Sequence, residues 1–197
     1  IGLGIPAEPL FRSWHMICTA LVFFMTPGLA FFYGGLVRRK NVCKTMMACV
    51  AIMGLSVLLW TMFGYSLSFG GNHAGIIGDF RWAFLNVVGW EAGPYADTIP
   101  HLVFAAFQMM FAMITPALIT GAVVGRMRFK ALFAFIVLWS FLVYYPMAHM
   151  VWGEGGFLAA IGSVDFAGGN VVHISSGVSA LVLATYLGRR KGYEKTS

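Results

Sequence analysis

The residues most able to do chemistry in this chain lie together in one short segment, DFAGGNVVHISSG, at residues 165–177. Asp165 supplies a carboxylate at the start of an apolar stretch. In that position it either caps backbone N–H groups or draws a cation there, directly or by holding a loop that does so. Gly168 and Gly169 allow an irregular helix start or close helix packing. The segment therefore predicts a capped helix start that can also organise a cation site.

His173 is the strongest single candidate, because it is an ionisable residue within an apolar segment. Such side chains are costly in a bilayer and usually face a cavity or the interior of a bundle. A neutral imidazole there can accept or pass a proton near working pH. The alternative is a neutral histidine that hydrogen-bonds to Ser175 or to a neighbouring helix. We assign Ser175 and Ser176 to helix packing and to no site.

Aromatic residues elsewhere could assemble opposite this segment. Phe104, Phe107 and Phe111 recur on one helical face, and Trp152 ends another apolar stretch. Such residues are typical of packing and of the aromatic belt at a membrane interface, but aromatic faces also attract cations. Four further polar residues are predicted to be interfacial or loop residues rather than ligands: His73, His101, His149 and Glu154.

The elements that must position these residues are membrane-spanning helices. Of the 197 residues, 59% are hydrophobic and only 10% are charged, against about 25% charged in soluble domains. A helix needs about 20 apolar residues to cross a bilayer. An all-α polytopic bundle of five spans is therefore predicted across 1–197, with spans near 13–37, 45–69, 101–125, 131–152 and 168–188 and a long outer loop at 70–100.

The distribution of positive charge predicts the orientation. Of the 13 Lys and Arg residues, all but Arg12 and Arg81 follow the first, third and fifth spans. The positive-inside rule makes that side cytoplasmic, so we expect a multi-pass protein of the cell membrane with its N-terminus outside and its C-terminus in the cytoplasm. The net charge of +6 reflects this bias and gives no support for nucleic-acid binding. Within the outer loop, RWAFLNVV is predicted to form a short interfacial helix.

Several classes of protein find no support in the chain. Cys18, Cys43 and Cys49 lie inside spans or at the cytoplasmic end, and no CxxC spacing occurs. Nucleophile elbows, phosphate loops and zincin spacings are missing from the sequence, so we expect no enzyme, metal or cofactor. The first apolar segment is too long for a signal peptide and has no basic leader. A unit with an odd number of spans has its two ends on opposite sides of the membrane, so a second copy in tandem would insert upside down. Five spans therefore fit one half of an inverted repeat.

Several motifs together resemble those of the ammonium transporters, the Amt/Mep/Rh family. DFAGGNVVHISSG closely resembles the family signature. Three more stretches occur in the family's order and spacing: MTPGLAFFYGGLVRRKNV at 25–42, AFQMMFAMITPALITGAVVGRMRF at 106–129 and PMAHMVWGEGG at 146–156. The resemblance implies the N-terminal half of an eleven-span, inverted-repeat protein that assembles as a homotrimer in the lipid bilayer.

The resemblance also assigns roles to residues. It places Phe107 and Phe111 at an outer mouth, with Phe111 at the hydrophobic constriction. It places Trp152 in the vestibule, where Trp152 recruits the cation. Asp165 supports that site from behind, Ala167 adjoins it, and His173 becomes the first pore histidine. The second constriction Phe, the vestibule Ser and the second pore His belong to the other half. Two features depart from the expected pattern: the double Met of QMMF and the charge of Glu154.

The implied function is ammonium transport, with methylammonium as an analogue and a PII-type nitrogen-regulatory protein as a cytoplasmic partner. Ammonium is recruited at the vestibule and deprotonated, and ammonia passes through a hydrophobic, histidine-lined pore. The alternative is an ammonium-sensing membrane domain of the same fold, coupled to a cytoplasmic signalling module. A third option is an unrelated membrane scaffold or a membrane enzyme that uses His173. We expect the five-span chain to transport nothing without a second half.

Overall fold

The computed structural model of the protein describes residues 7–189, whose regular structure is almost entirely helical. Five helical stretches among them are long and apolar enough to cross a bilayer. We number them spans 1–5: Pro9–Gly35, Arg39–Phe69, His101–Val123, Phe129–Ala160 and Gly169–Leu187. Each overlaps a predicted span, and the predicted all-α, five-span class is confirmed. Residues 1–6 and 190–197, which the prediction over 1–197 includes, lie outside the described residues.

The helices and strands run in chain order as follows: α1 (Ala7–Gly35), α2 (Val42–Leu59), α3 (Tyr65–Phe69), β1 (Ala92–Gly93), β2 (Ala96–Pro100), α4 (His101–Val123), α5 (Phe129–Trp139), α6 (Tyr145–Trp152), α7 (Phe157–Ala160) and α8 (Ser175–Leu187). Short 3-10 turns lie at Arg39–Asn41 and Ala83–Leu85. The end of the bundle that carries residues 70–100 is called the loop end. The opposite end, with the link after span 3, is called the basic end.

Spans 2, 4 and 5 each contain a π-helical turn, at Trp60–Gly64, Ser140–Tyr144 and Gly169–Ile174. A π turn widens the helix by one residue and rotates the side chains that follow. Spans 2 and 4 pack closely at their π turns. A Cβ atom on Gly64 of span 2 would lie only 2.6 Å from ring atoms of Tyr145 of span 4. Glycine at position 64 is therefore what permits this approach.

The predicted outer loop, 70–100, has more regular structure than its sequence indicates. Strands β1 and β2 pair as an antiparallel ribbon with an irregularity in its register. The predicted helix at 81–88 is reduced to one 3-10 turn, because Phe84, Leu85 and Val87 all adopt positive φ angles of 54–57°. Right-handed helix cannot continue through such residues. The ribbon packs against α1 and α4.

Span 3 forms the centre of the bundle. In the most apolar 18-residue stretch of span 3, 56% of the residues are buried, whereas the corresponding share in span 1 is 11%. An aromatic core surrounds it toward the loop end, and a smaller aliphatic core of Ile52, Leu132 and Ile136 lies toward the basic end. At the basic end Arg126 donates from Nη1 to the carbonyls of Ala184, at 3.2 Å, and Gly188, at 2.6 Å. These bonds join the ends of spans 3 and 5.

Candidate functional site

A row of aromatic rings lies at the loop end of the bundle. Phe107 and Phe111 of α4 meet edge to face, with ring centroids 5.2 Å apart. Phe111 in turn meets Trp152, the last residue of α6, at 6.1 Å. All three side chains are half-buried. The structure thus brings together the three aromatic residues that the resemblance assigned to one mouth.

Phe104 does not join this row, although it shares the predicted helical face. Its ring stacks on Tyr95 at 5.3 Å, with only 2° between the ring planes, and it meets Phe69 at 5.3 Å. Phe104 therefore belongs to the aromatic core beneath the loop. The helical periodicity correctly placed Phe104 near Phe107, but it could not show that the loop supplies a ring for Phe104 to stack on.

Asp165 connects the aromatic row to the start of span 5. Its backbone carbonyl accepts a hydrogen bond from Trp152 Nε1 at 3.3 Å. Its carboxylate accepts four backbone N–H bonds: Oδ1 from Gly168 (2.6 Å) and Gly169 (2.7 Å), and Oδ2 from Asn170 (2.9 Å) and Val171 (3.0 Å). The capping interpretation of Asp165 is confirmed, since these N–H groups lack partners at any helix start. The carboxylate acts here by holding backbone.

Glycine is required where this cap turns into span 5. Gly168 has φ +87°, a left-handed conformation that residues with a side chain rarely adopt. A Cβ at Gly168 would also lie 2.7 Å from the Val172 side chain. The irregular helix start predicted from the two glycines is therefore present. Ala167, directly before Gly168, is exposed next to the cap.

His173 lies in the π turn that opens span 5. Its backbone N–H donates to the carbonyl of Gly168, five residues earlier, at 3.0 Å. This i to i+5 spacing is the hydrogen-bond pattern of a π-helix. The His173 side chain is exposed, as are those of Ile174 and Val178, whose exposed fractions are 55% and 56%. Among the described residues no group bonds to its ring. The expected enclosure of His173 in a bundle interior is therefore not formed by residues 7–189 alone.

The serines that follow His173 bond within their own helix. Ser175 Oγ donates to the Val171 carbonyl, and Ser176 Oγ donates to the Val172 carbonyl at 2.6 Å. Both side chains are buried. The assignment of these serines to helix packing is consistent with this geometry, and the alternative bond between His173 and Ser175 is not formed. The π turn that carries His173 packs against both α4 and α6, which carry the aromatic row.

Two histidines that were predicted to lie in loops or at the interface are buried instead. His149 is fully buried and His101 is 6% exposed. His149 lies between the Ser68 carbonyl, 3.1 Å from Nδ1, and Asn72 Oδ1, 3.3 Å from Nε2. His101 packs against the Trp82 ring at a centroid distance of 4.7 Å. The only feature of the sequence that could have indicated the burial of His149 is its position in an apolar segment, three residues before Trp152.

The other two polar residues of that prediction are exposed, as expected. Both His73 and Glu154 lie in loops. The backbone N–H of Glu154 donates to the Tyr95 hydroxyl at 3.1 Å, and that hydroxyl donates to the Phe69 carbonyl at 2.8 Å. Burial raises the pKa of Tyr95, so its hydroxyl stays neutral. Tyr95 therefore joins the end of span 2 to the loop that follows Trp152.

Asp79 and Arg81 form an ion pair in the loop, with Arg81 Nε 2.7 Å from Asp79 Oδ2. Burial by itself raises the pKa of Asp79. Hydrogen bonds from the Arg81 backbone, at 3.0 Å, and from its side chain outweigh that effect and hold the pKa of Asp79 below its ordinary value. The carbonyl of Asp79 also accepts a bond from Ser66 Oγ at 2.7 Å, which ties this pair to span 2.

Five apolar spans, with an aromatic row at one end and a histidine in the fifth, define a polytopic helical membrane protein. Comparison with known families makes the assignment specific. The model of the Ammonium Transporter Family matches residues 13–197, and the chain belongs to that family.

Individual relatives agree with this assignment. The chain is 54% identical over 174 residues to the ammonium transporter of Bacillus subtilis, covering 88% of this chain and 43% of that protein. The crystal structure of Candida albicans Mep2 superposes with a TM-score of 0.82 at 34% identity, over 91% of this chain and 39% of that one. A solved sensor Amt protein gives a TM-score of 0.85 at 26% identity, over 93% of this chain and 45% of that one. The chain spans less than half the length of these relatives.

Proposed function

We propose that this chain forms the first half of an ammonium-conducting pore, with its mouth at the aromatic row and its interior at His173. The observation that carries the proposal is the contact series Phe107–Phe111–Trp152, which the hydrogen bond from Trp152 connects to the start of span 5. Family membership supplies the substrate class, because the curated relatives are ammonium transporters. Their names give the sensing alternative no support.

The mouth attracts a cation through aromatic faces. A cation over such a ring is stabilised by about 0.5–2 kcal/mol, depending on how far it is desolvated. The Asp165 carboxylate already accepts four N–H bonds, so its part is to hold the first turn of span 5 in place. The backbone carbonyl of Asp165 holds the Trp152 ring. Ala167 is exposed beside this turn, and we assign it to the edge of the proposed mouth.

The interior of the pore selects for the neutral species. Ammonium and potassium ions have similar size and charge, but only ammonium can lose a proton. A narrow apolar passage makes a bare cation costly, while neutral ammonia can pass. His173 lies on the exposed face of span 5, which is broad and also carries the side chains of Ile174 and Val178. In the full pore this face lies against the second half, and the imidazole offers hydrogen bonds to ammonia in a dry channel.

A chimera tests the proposal directly. Residues 1–197 replace the matching part of the B. subtilis transporter, and methylammonium uptake is measured in cells without ammonium transporters. We expect uptake by the chimera and a loss of at least tenfold in His173→Ala, because the channel would then lack its hydrogen-bonding group. His73→Ala is the matched control, since His73 is exposed in the loop. Unchanged uptake in His173→Ala would remove His173 from the pore.

The remaining expectations concern assembly and orientation. The five-span chain in liposomes should give no uptake by itself, and uptake there would overturn the requirement for a second half. Cross-linking of the chimera in membranes tests the homotrimer, and co-purification with a PII-type protein tests that partner. Protease protection of tags at the two termini of the chain tests an external N-terminus and a cytoplasmic C-terminus.

A further inference from the structure

A cavity of about 430 Å³ lies at the loop end, between the outer loop and the turn at 153–156, and is called the loop cavity. Its volume lies within the range of about 300–1,000 Å³ that is typical of small-molecule sites. The residues that line it include two of opposite charge, Arg81 and Glu154, together with Asn72, Trp82 and Pro94. No ring of the aromatic row lines it, so the loop cavity is a second candidate site.

The guanidinium of Arg81 is held in place while its outer nitrogens remain available. Nε is bonded to Asp79 Oδ2 at 2.7 Å, and the Asp79 carbonyl accepts a bond from Ser66 Oγ of span 2. A Cβ atom on Gly71, which also lines the cavity, would overlap Arg81 Nη2. Among the described residues no hydrogen bond engages Nη1 or Nη2, and the side chain is 56% exposed. These two nitrogens can therefore donate to a carboxylate from water.

Glu154 supplies the opposite charge at the same cavity. Its main chain is fixed, because its N–H donates to the Tyr95 hydroxyl at 3.1 Å. Within residues 7–189 no hydrogen bond or ion pair engages its carboxylate, so it is not paired with Arg81. Both charges act on Tyr95. Burial is the largest cause that raises the pKa of Tyr95, and the charge of Glu154 raises it further, whereas the charge of Arg81 lowers it. The two charges therefore lie near the same tyrosine without contacting each other.

Asn72 fixes the two sides of the loop cavity relative to each other. Its Nδ2 donates to the carbonyl of Gly155 at 2.9 Å, and its Oδ1 accepts the N–H of Gly75 at 2.6 Å. The first bond joins the loop that carries Arg81 to the turn that carries Glu154. The separation of the two charges is therefore set before a ligand arrives, which lowers the cost of ordering the site on binding.

Trp82 gives the loop cavity a fixed apolar wall. Its ring stacks on the ring of Tyr65, with centroids 5.6 Å apart and 26° between the planes, and it meets His101 edge to face at 4.7 Å. Its backbone N–H donates to Ser66 Oγ at 2.9 Å. With Pro94 also in the lining, an apolar group of a ligand has a preformed surface on which to pack.

We propose that the loop cavity binds a small zwitterion, namely an α-amino acid with an apolar side chain. The carboxylate of the ligand accepts hydrogen bonds from Nη1 and Nη2 of Arg81, and its ammonium group pairs with the Glu154 carboxylate. Its side chain packs on Trp82. A ligand with a single charge fits less well, because Arg81 repels a cation and Glu154 repels an anion.

Ligand-observed NMR tests the site without reference to transport. The chimera in nanodiscs is titrated with L-leucine, and nanodiscs without protein serve as the blank. Two further probes keep the branched side chain and one charge each: 3-methylbutylammonium lacks the carboxylate, and 4-methylpentanoate lacks the ammonium group. We expect the Kd of leucine to be at least about tenfold below that of either probe, because each probe loses one charge-assisted contact.

Variants assign the contacts to the two charges. Glu154→Gln breaks no side-chain bond among the described residues, so the fold should be retained. We expect it to raise the Kd of leucine at least about fivefold and to leave the Kd of 4-methylpentanoate unchanged or lower. Arg81→Lys keeps the charge without the paired nitrogens and should weaken leucine binding as well. Glu91→Gln is the matched control, because it makes the same change at an exposed carboxylate of the outer loop outside the cavity lining.

Three results would overturn the proposal. Equal Kd values for leucine and 3-methylbutylammonium would show that the carboxylate is not recognised. Equal Kd values for leucine in Glu154→Gln and Glu91→Gln would remove Glu154 from the site. No saturable leucine signal at about 10 mM, where a site with a Kd of about 1 mM is mostly filled, would show that no such site exists. None of these results depends on the proposed function, because binding is measured whether or not the chimera takes up methylammonium.

Discussion

Replacement of Asp165 by alanine tests whether this carboxylate acts as a structural cap. The change leaves four backbone N–H groups, now bonded at 2.6–3.0 Å, without their acceptor. Loss of a helix cap costs about 0.5–2 kcal/mol, and loss of a carboxylate at a helix N-terminus costs about 0.3–1 kcal/mol more. Because one carboxylate accepts all four bonds, the upper parts of both ranges apply. We expect the free energy of unfolding to fall by about 2–3 kcal/mol.

Asparagine at position 165 tests whether the stability depends on how many hydrogen bonds the side chain accepts, because asparagine has nearly the same shape as aspartate. Its single carbonyl oxygen can keep two of the four N–H bonds, while its NH₂ group cannot accept any. Asp165→Asn should therefore lose about half as much as Asp165→Ala. Asp97→Ala is the control, because Asp97 is an exposed carboxylate at the same end, and surface changes usually stay within about 0.5 kcal/mol.

The assay combines thermal unfolding of the chimera in detergent with methylammonium uptake. We expect melting temperatures in the order Asp97→Ala, Asp165→Asn, Asp165→Ala, from highest to lowest. Uptake per folded molecule should fall in the same order, since Trp152 bonds to the Asp165 backbone. Equal melting temperatures for Asp165→Ala and Asp97→Ala would refute the cap as a source of stability. Equal values for the asparagine and alanine variants would assign the effect to charge.

Two further predictions concern packing and pH. Gly64→Ala should lower stability by about 1–3 kcal/mol, because its Cβ would lie 2.6 Å from the Tyr145 ring, whereas Gly54→Ala has open space and should not destabilise. Equal melting temperatures for these two variants would contradict the close packing of spans 2 and 4. The lowered pKa of Asp79 contributes stability above its unfolded-state pKa, which is lost as pH falls through the lower folded-state value. Arg81→Ala should therefore reduce the loss of thermal stability between about pH 5 and pH 3, and an unchanged profile would contradict this role of the ion pair.

Features that depend on residues close in the chain were predictable from sequence. The five spans follow from apolar length, which the bilayer requires. The cap by Asp165 follows from its place before a helix, since all four N–H groups it bonds lie within the next six residues. The irregular turn at Gly168 follows from the absence of a side chain. Each of these needed only local chemistry.

Features that depend on distant residues were not predictable in the same way. His149 is buried because Ser68 and Asn72 reach it from span 2 and the loop, 81 and 77 residues away in the chain. Phe104 leaves the aromatic row because Tyr95 stacks on it. The π turns were hidden as well, because a stretch that is apolar on every face shows no change of period when one residue is inserted.

The geometry of Asp165 changes how charge at the mouth is understood. A free carboxylate facing the vestibule would attract potassium and ammonium alike, because both are monovalent cations of similar size. Here the carboxylate accepts bonds from four N–H donors. In the mouth that we propose, the groups left to face a cation are the rings of Phe107, Phe111 and Trp152. Such rings concentrate cations only weakly. Under the proposed function, discrimination between the two ions then belongs deeper, where His173 would meet an apolar passage that only a species able to release its proton enters cheaply.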